Sequence, residues 1–181
     1  MTTTAAVTTG TWKLDPTHTE IGFTVRHLMS KVRGKFDTFE GTVVSADDVT
    51  ASTVEVSVDL NSINTGTADR DAHLRSGDFF EVDTYPSMTF KSTGIKQESD
   101  DEFVLSGDLT IKGVTKPIEL EVEFLGEGSD PWGGTRVGIE AKGEISRKEF
   151  GIDFNIPLEG DKVMIGDKIK LNIVAEAVLQ A

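Results

Sequence analysis

Three histidines, His18, His27 and His73, stand in a chain with 31 acidic residues and no cysteine. Histidine and carboxylate side chains together could bind a metal or move a proton. The spacing argues against both. His18 and His27 lie nine residues apart in DPTHTEIGFTVRH. On one regular strand an odd offset sends them to opposite faces. His18 reads as part of the turn before that strand and His27 as its end. No HExxH, no paired HxH and no Asx-rich calcium loop occurs, so no metal is expected. No serine sits in a GxSxG elbow. In DRDAHLRS, Asp69 pairs with His73 and Asp71 with Arg75 at i,i+4 spacing, which reads as a solvated helix face. Glu119, Glu121 and Glu123 read as the wet side of a strand. No catalytic residue is assigned.

The lack of cysteine excludes thiol catalysis, zinc–thiolate sites and disulfides. A net charge of −13 repels phosphate backbones and anionic surfaces, so neither nucleic-acid binding nor stable membrane insertion is expected. The opening MTTTAAVTTG has no basic start and no apolar run. A cytoplasmic location is the expectation, with residues 1–10 disordered and a single domain over 11–181.

The elements that would position these groups are strands. Ile21, Phe23 and Val25 alternate with polar or small residues, as do Val54, Val56, Val58 and Leu60. Ile118, Leu120, Val122 and Phe124 do the same, and so do Ile169, Leu171, Ile173, Ala175 and Ala177. Period two with one dry face marks antiparallel strands packed on one side. Segments 33–44, 87–95, 102–113 and 135–146 add further strands. Gly107 is a candidate bulge, and KGVTKP (112–117) is a hairpin turn. One helix is expected over 67–77, with Thr67 as N-cap and Gly77 as its stop. About eight such strands form a sandwich or an up-and-down barrel. Alternation cannot separate the two, although the long strands favour a barrel, whose interior can hold one small ligand.

Several segments resemble the YceI-like family in order: DPTHTEIGFTVRHLMSKVRGKFDTFEG, SVDLNSINTGTADRDAHLRSGDFFEVDTYPSMTFKST, GDLTIKGVTKPIELEVEF, FGIDFNIPLEG and GDKIKLNIVAEAVL. The resemblance runs from Trp12 to Leu179. It implies an extended, eight-stranded antiparallel, lipocalin-like barrel with one short helix near an end. It also implies non-enzymatic binding, storage or transport of an isoprenoid lipid, such as an isoprenoid quinone or a prenyl phosphate, in an apolar tunnel. No cofactor is implied beyond that lipid. Many relatives carry an export signal, and this chain shows none.

Alternation assigns the tunnel lining to Ile21, Phe23, Val25, Phe36, Phe90, Leu109, Ile111, Leu120, Val122, Phe124, Val137, Ile139, Phe150 and Phe154. Arg26, His27, Arg70, His73 and Arg75 are the candidates for a polar mouth that meets a quinone carbonyl or a phosphate. Two other readings stay open. One is an enzyme acting on a prenyl or quinone substrate through His73 or His27. The other is a stress-linked interaction protein with a filled barrel. Homodimerisation through strand edges or barrel mouths is also open.

Overall fold

Eleven strand segments form one antiparallel sheet that closes on itself. They are β1 (Gly10–Leu14), β2 (Glu20–His27), β3 (Ser30–Phe36), β4 (Phe39–Ser45), β5 (Thr53–Asp59), β6 (Ile63–Asn64), β7 (Ser87–Gln97), β8 (Glu102–Ile111), β9 (Val114–Ser129), β10 (Thr135–Ser146) and β11 (Ile165–Leu179). The computed structural model describes residues 7–158 and 164–181.

The eleven segments amount to eight barrel strands. β1 and β2 are two halves of one, as are β3 and β4, and β5 and β6. β1 pairs with β4 and β2 with β3. From β5 the order runs through β7, β8, β9 and β10 to β11. β11 then pairs with both halves of the first strand. Its Ile165–Val174 portion meets β2, and Ala177–Leu179 meets β1. This is the closed, eight-stranded antiparallel barrel that the family resemblance implies.

The breaks have local polar causes. At the first, the Asp15 carboxylate accepts from the Thr17 amide at 2.9 Å, and Pro16 has no amide to offer a ladder. At the third, Asp59 accepts from Asn61 and caps a short 3-10 turn at Leu60–Ser62. Ser62 Oγ in turn accepts from the Thr38 amide at the second break. Asp37 and Thr38 therefore divide the segment expected to run unbroken over 33–44 into β3 and β4.

Other expectations change in detail. The turn between β8 and β9 is Lys112-Gly113 alone, both with positive φ, as a tight hairpin requires. Val114 to Pro117 already belong to β9, and Pro117 faces Asp108 of β8. β9 pairs with β10 only from Glu121 onward, so the missing proline amide lies where no second partner is paired. The bulge expected at Gly107 lies on β7, between Ser92 and Gly94. Gly107 instead makes room for an aromatic ring, because a Cβ there would collide with the Phe90 side chain.

α1 (Ala68–Arg75) is the one α-helix among the described residues. Thr67 holds the N-cap position without a side-chain bond, and Ser76 rather than Gly77 is the C-cap. The pairs Asp69–His73 and Asp71–Arg75 are not made. Asp71 is buried and accepts from the Thr65 amide and hydroxyl, while His73 turns to Asp78. Of the segment 1–10 expected to be disordered, residues 1–6 lie outside the described residues. Thr8 bonds Glu127, Thr9 bonds Asp47, and Gly10 opens β1.

Phe79, Ile111, Phe150, Ile152 and Ile165 belong to one buried cluster. Phe36, Val58, Leu60, Ile63 and Val82 form a second. Arg147 is 4% exposed and fixes the segment after β10. Its guanidinium donates to the carbonyls of Ile152, Phe154 and Gly166 at 2.8–2.9 Å. Burial pushes its pKa down, opposed by the charges of Asp167 and Asp153. The group nevertheless stays charged, as arginine does in proteins.

Replacing Gly107 with valine should lower stability by about 1–3 kcal/mol through overpacking against Phe90. Urea unfolding checks this, and an unchanged midpoint would remove the steric account of Gly107.

Candidate functional site

The barrel is hollow. A cavity offering about 260 Å³ to the centre of a water molecule runs inside it. Its walls come from alternate residues of nearly every strand. Ile21 and Phe23 of β2, Val54, Val56 and Val58 of β5, and Leu171, Ile173, Ala175 and Ala177 of β11 all face it. Period two places them there, since every second side chain of a closed sheet points inward.

Among the described residues, no charged one lines the cavity. Its polar side chains are Thr42, Ser45, Ser52 and Thr89. Two of these hydroxyls serve the protein. Ser45 Oγ donates to the Thr8 carbonyl at 2.6 Å and accepts from the indole of Trp12 at 2.9 Å. Ser52 Oγ accepts from the Ala46 amide at 3.0 Å. Trp12 is fully buried and lines the cavity with its indole N–H already satisfied. What remains for a ligand is chiefly shape and carbon.

The two ends differ. Toward α1 lie the buried side chains of Phe79, Ile111, Phe150 and Ile152. Toward the chain termini the cavity reaches Val7, Val49 and Ser52. The expected lining divides along this axis. Val25, Ile111, Phe150 and Phe154 are outside the cavity wall and pack in or against the first buried cluster. Phe150 ends a 3-10 turn at Arg147–Phe150, and Phe154 follows it in a loop, so strand alternation does not govern either. The other expected lining residues do face the cavity.

The five candidates for a polar mouth all lie outside the lining. Arg26 is on the outer face of β2, by parity with Thr24. His27 continues the inner parity, but it is the last residue of β2 and sits opposite Ile165, beyond the cavity. Arg70 binds Thr65 through its side-chain and carbonyl oxygens. His73 donates from Nε2 to Asp78 at 2.8 Å and lies edge-on to Phe79 and Phe154, each 5.0 Å away. Arg75 makes no side-chain bond among the described residues. The reason is topological: α1 covers the apolar end, separated from the cavity by aromatic rings.

Sequence reading missed Trp12 and Leu14, because β1 is too short to show a period. Leu105 and Ile118 were legible as alternating residues but were left off the lining.

Asp15, His18 and Glu176 bring three potential metal-ligand atoms within 4.8 Å of one another. A cation is already there. Arg136 donates to Asp15 at 2.7 Å, to Glu176 at 2.9 Å and to Asp130 at 2.8 Å. The ring Nδ1 of His18 donates to Asp15 at 2.8 Å. This histidine bond, then the guanidinium, holds the Asp15 carboxyl well below the usual carboxylate range. The guanidinium pKa is raised in turn, first by Asp15 and then by Asp130. The cluster is an ion-pair network that ties β1's end to β10 and β11.

A model of the YceI-like domain matches residues 12–177. The chain belongs to the YceI-like family. It is 42% identical over 154 residues to Protein YceI of Salmonella arizonae, covering 83% of this chain and 80% of that one. Among solved structures, the Campylobacter jejuni YCEI protein superposes with a TM-score of 0.73 at 32% identity, over 93% of this chain and 97% of that one. A polyisoprenoid binding domain from Saccharophagus degradans shares the fold, with a TM-score of 0.70 at 16% identity over 93% and 98% of the two chains.

Because Asp15 is depressed, its contribution to stability is complete above about pH 4 and is lost as pH falls further. Replacing Arg136 with methionine leaves Asp15, Asp130 and Glu176 facing one another. The variant should melt lower than the parent at neutral pH, with the gap narrowing below about pH 4 as carboxylates take up protons. Calorimetry across that range checks it; a pH-independent gap would refute the network's role.

Proposed function

We propose that this YceI-like barrel binds an isoprenoid lipid in its cavity without chemical turnover, and that a neutral isoprenoid quinone suits it better than a prenyl phosphate. One observation carries the reading: a cavity walled by carbon, in a fold shared with a polyisoprenoid binding domain. Each methylene withdrawn from water contributes roughly 0.8 kcal/mol, so a prenyl chain gains steadily with each unit that enters.

The preference for a neutral head follows from charge. Among the described residues, no cation lines the wall. The loops at the termini end carry Asp47 and Asp48, and Glu127 accepts from Thr8 beside them. A phosphate held there would meet these carboxylates with no lysine or arginine in the described wall to offset them, whereas a quinone ring carries no charge to repel.

Catalysis through His73 or His27 has less support, because neither reaches the cavity. A merely structural interior has less support because the barrel is not filled.

Trp12 supplies the assay. The other tryptophan, Trp132, is 80% exposed, so W132F leaves one reporter in the cavity wall. Titration with an isoprenoid quinone should quench it, and a prenyl phosphate of equal length should bind more weakly. Ala175→Phe adds a six-carbon ring and fills cavity space equal to about four methylenes. It should weaken binding by roughly 3 kcal/mol, about 150-fold, in a folded protein. Gently purified protein should also release an apolar molecule on organic extraction, detected by mass spectrometry. A protein that is empty and unquenched would sink the proposal.

A further inference from the structure

The outer face of β11, β2 and β3 departs from the charge of the rest of the chain. Register places Lys170, Thr24 and Arg33 in one row across the three strands. Arg26 and Lys31 stand directly opposite each other in the next. All four cations are exposed and none forms an ion pair among the described residues. Like charges facing across a strand pair are unfavourable on their own. Among the described residues, the acidic groups nearest this face are Glu20 at its base, Asp37 beside Lys35, Glu144 opposite Lys170, and Asp167, which bonds Ser146. On the far side of the barrel the pattern inverts, with Glu102 facing Glu123, and Glu121 and Glu119 following along β9. The net charge of −13 thus hides a molecule with one basic wall opposite an acidic one.

The basic wall ends in an apolar tip. The β2–β3 turn is Leu28-Met29, with Met29 95% exposed and Leu28 48% exposed. Leu28 has φ +54°, a left-handed position at which glycine is the unstrained choice. A neighbouring loop is strapped alongside. The Leu28 amide bonds the Met164 carbonyl at 2.8 Å, and the Met164 amide bonds that of Ile156 at 3.0 Å. Ile156 and Leu158 are also exposed there.

We propose that this wall and tip dock on an anionic lipid bilayer, with Met29 and Leu28 entering the headgroup layer and Arg26, Lys31, Arg33 and Lys170 facing lipid phosphates. Exposed apolar side chains ahead of a cationic face suit a membrane interface, where carbon enters and charge stays at the phosphates. The acidic far wall turns the molecule, since an anionic surface attracts one side and repels the other. The same strands supply Ile21, Phe23, Phe36 and Leu171 to the cavity, so the docked wall is also a cavity wall.

Co-sedimentation with vesicles tests this. The protein should bind vesicles of phosphatidylglycerol in phosphatidylcholine, not pure phosphatidylcholine, and should release at high salt. Lys31→Gln with Arg33→Gln should weaken binding about thirtyfold, at about fivefold per cation removed. Met29→Gln should weaken it at any salt concentration. Lys96→Gln with Lys116→Gln, away from this wall, should leave it unchanged. Thermal melts confirm that each variant is folded, and unaltered Trp12 quenching separates this surface from the cavity's own ligand. The proposal is overturned by no vesicle binding, by equal binding to neutral vesicles, or by equal loss in the control. It is overturned too if the variants instead dissociate a dimer in sedimentation velocity, which would make the wall a self-interface.

Discussion

One long strand meeting both halves of a broken one holds this barrel shut. β11 runs fifteen residues. Its first part pairs with β2 and its last with β1, while the Asp15 amide bonds the Glu176 carbonyl across the break. Without that double pairing the sheet would have two open edges, and its apolar face would lie against water. Closure turns the face into an interior. The same break places Asp15 beside Arg136, so ion pairing reinforces the seam where the ladder is interrupted.

The cavity is a consequence of closure with modest side chains. β11 contributes Ala175 and Ala177, and β10 contributes Ala141. Larger residues at these positions would fill the centre. Phe79, Phe150 and Phe154 gather toward the helix, outside the cavity wall. Volume is therefore distributed unevenly along the axis, plugging one end and leaving the rest hollow. Polar groups at the wall are few and several are spent on the protein's own backbone, so selection falls to shape and to the charge around the rim.

Charge is distributed as unevenly as volume. A composition-level view treats −13 as a uniform field that keeps anionic surfaces away. The fold sorts the charges by wall, because outward residues of one strand sit beside outward residues of its neighbours. Lys31 and Arg33 of β3 thereby join Arg26 of β2 and Lys170 of β11, and the glutamates of β9 meet Glu102 of β8.

Much of this was legible from the chain. Alternation assigned the cavity-facing side chains of β2 and β9, and it marked the dry faces of β5 and β11, whose residues the expected lining left out, since strand period is a local property of the backbone. The family resemblance carried the closure and the single helix. Alternation failed where the backbone stops being a strand. Phe150 and Phe154 look periodic but belong to a 3-10 turn and a loop, and Trp12 sits in a strand too short to announce itself. The histidines and arginines chosen as a polar mouth were selected by type, and residue type says nothing about which end of a barrel is open. By itself the sequence determined which residues face in and which face out. Only the tertiary structure decided that the interior is hollow, that α1 caps the plugged end, and that Arg136 occupies the site where Asp15, His18 and Glu176 converge. Those features depend on distant parts of the chain being brought together, His73 against Phe154 and Arg136 against Asp15, and no local periodicity encodes that.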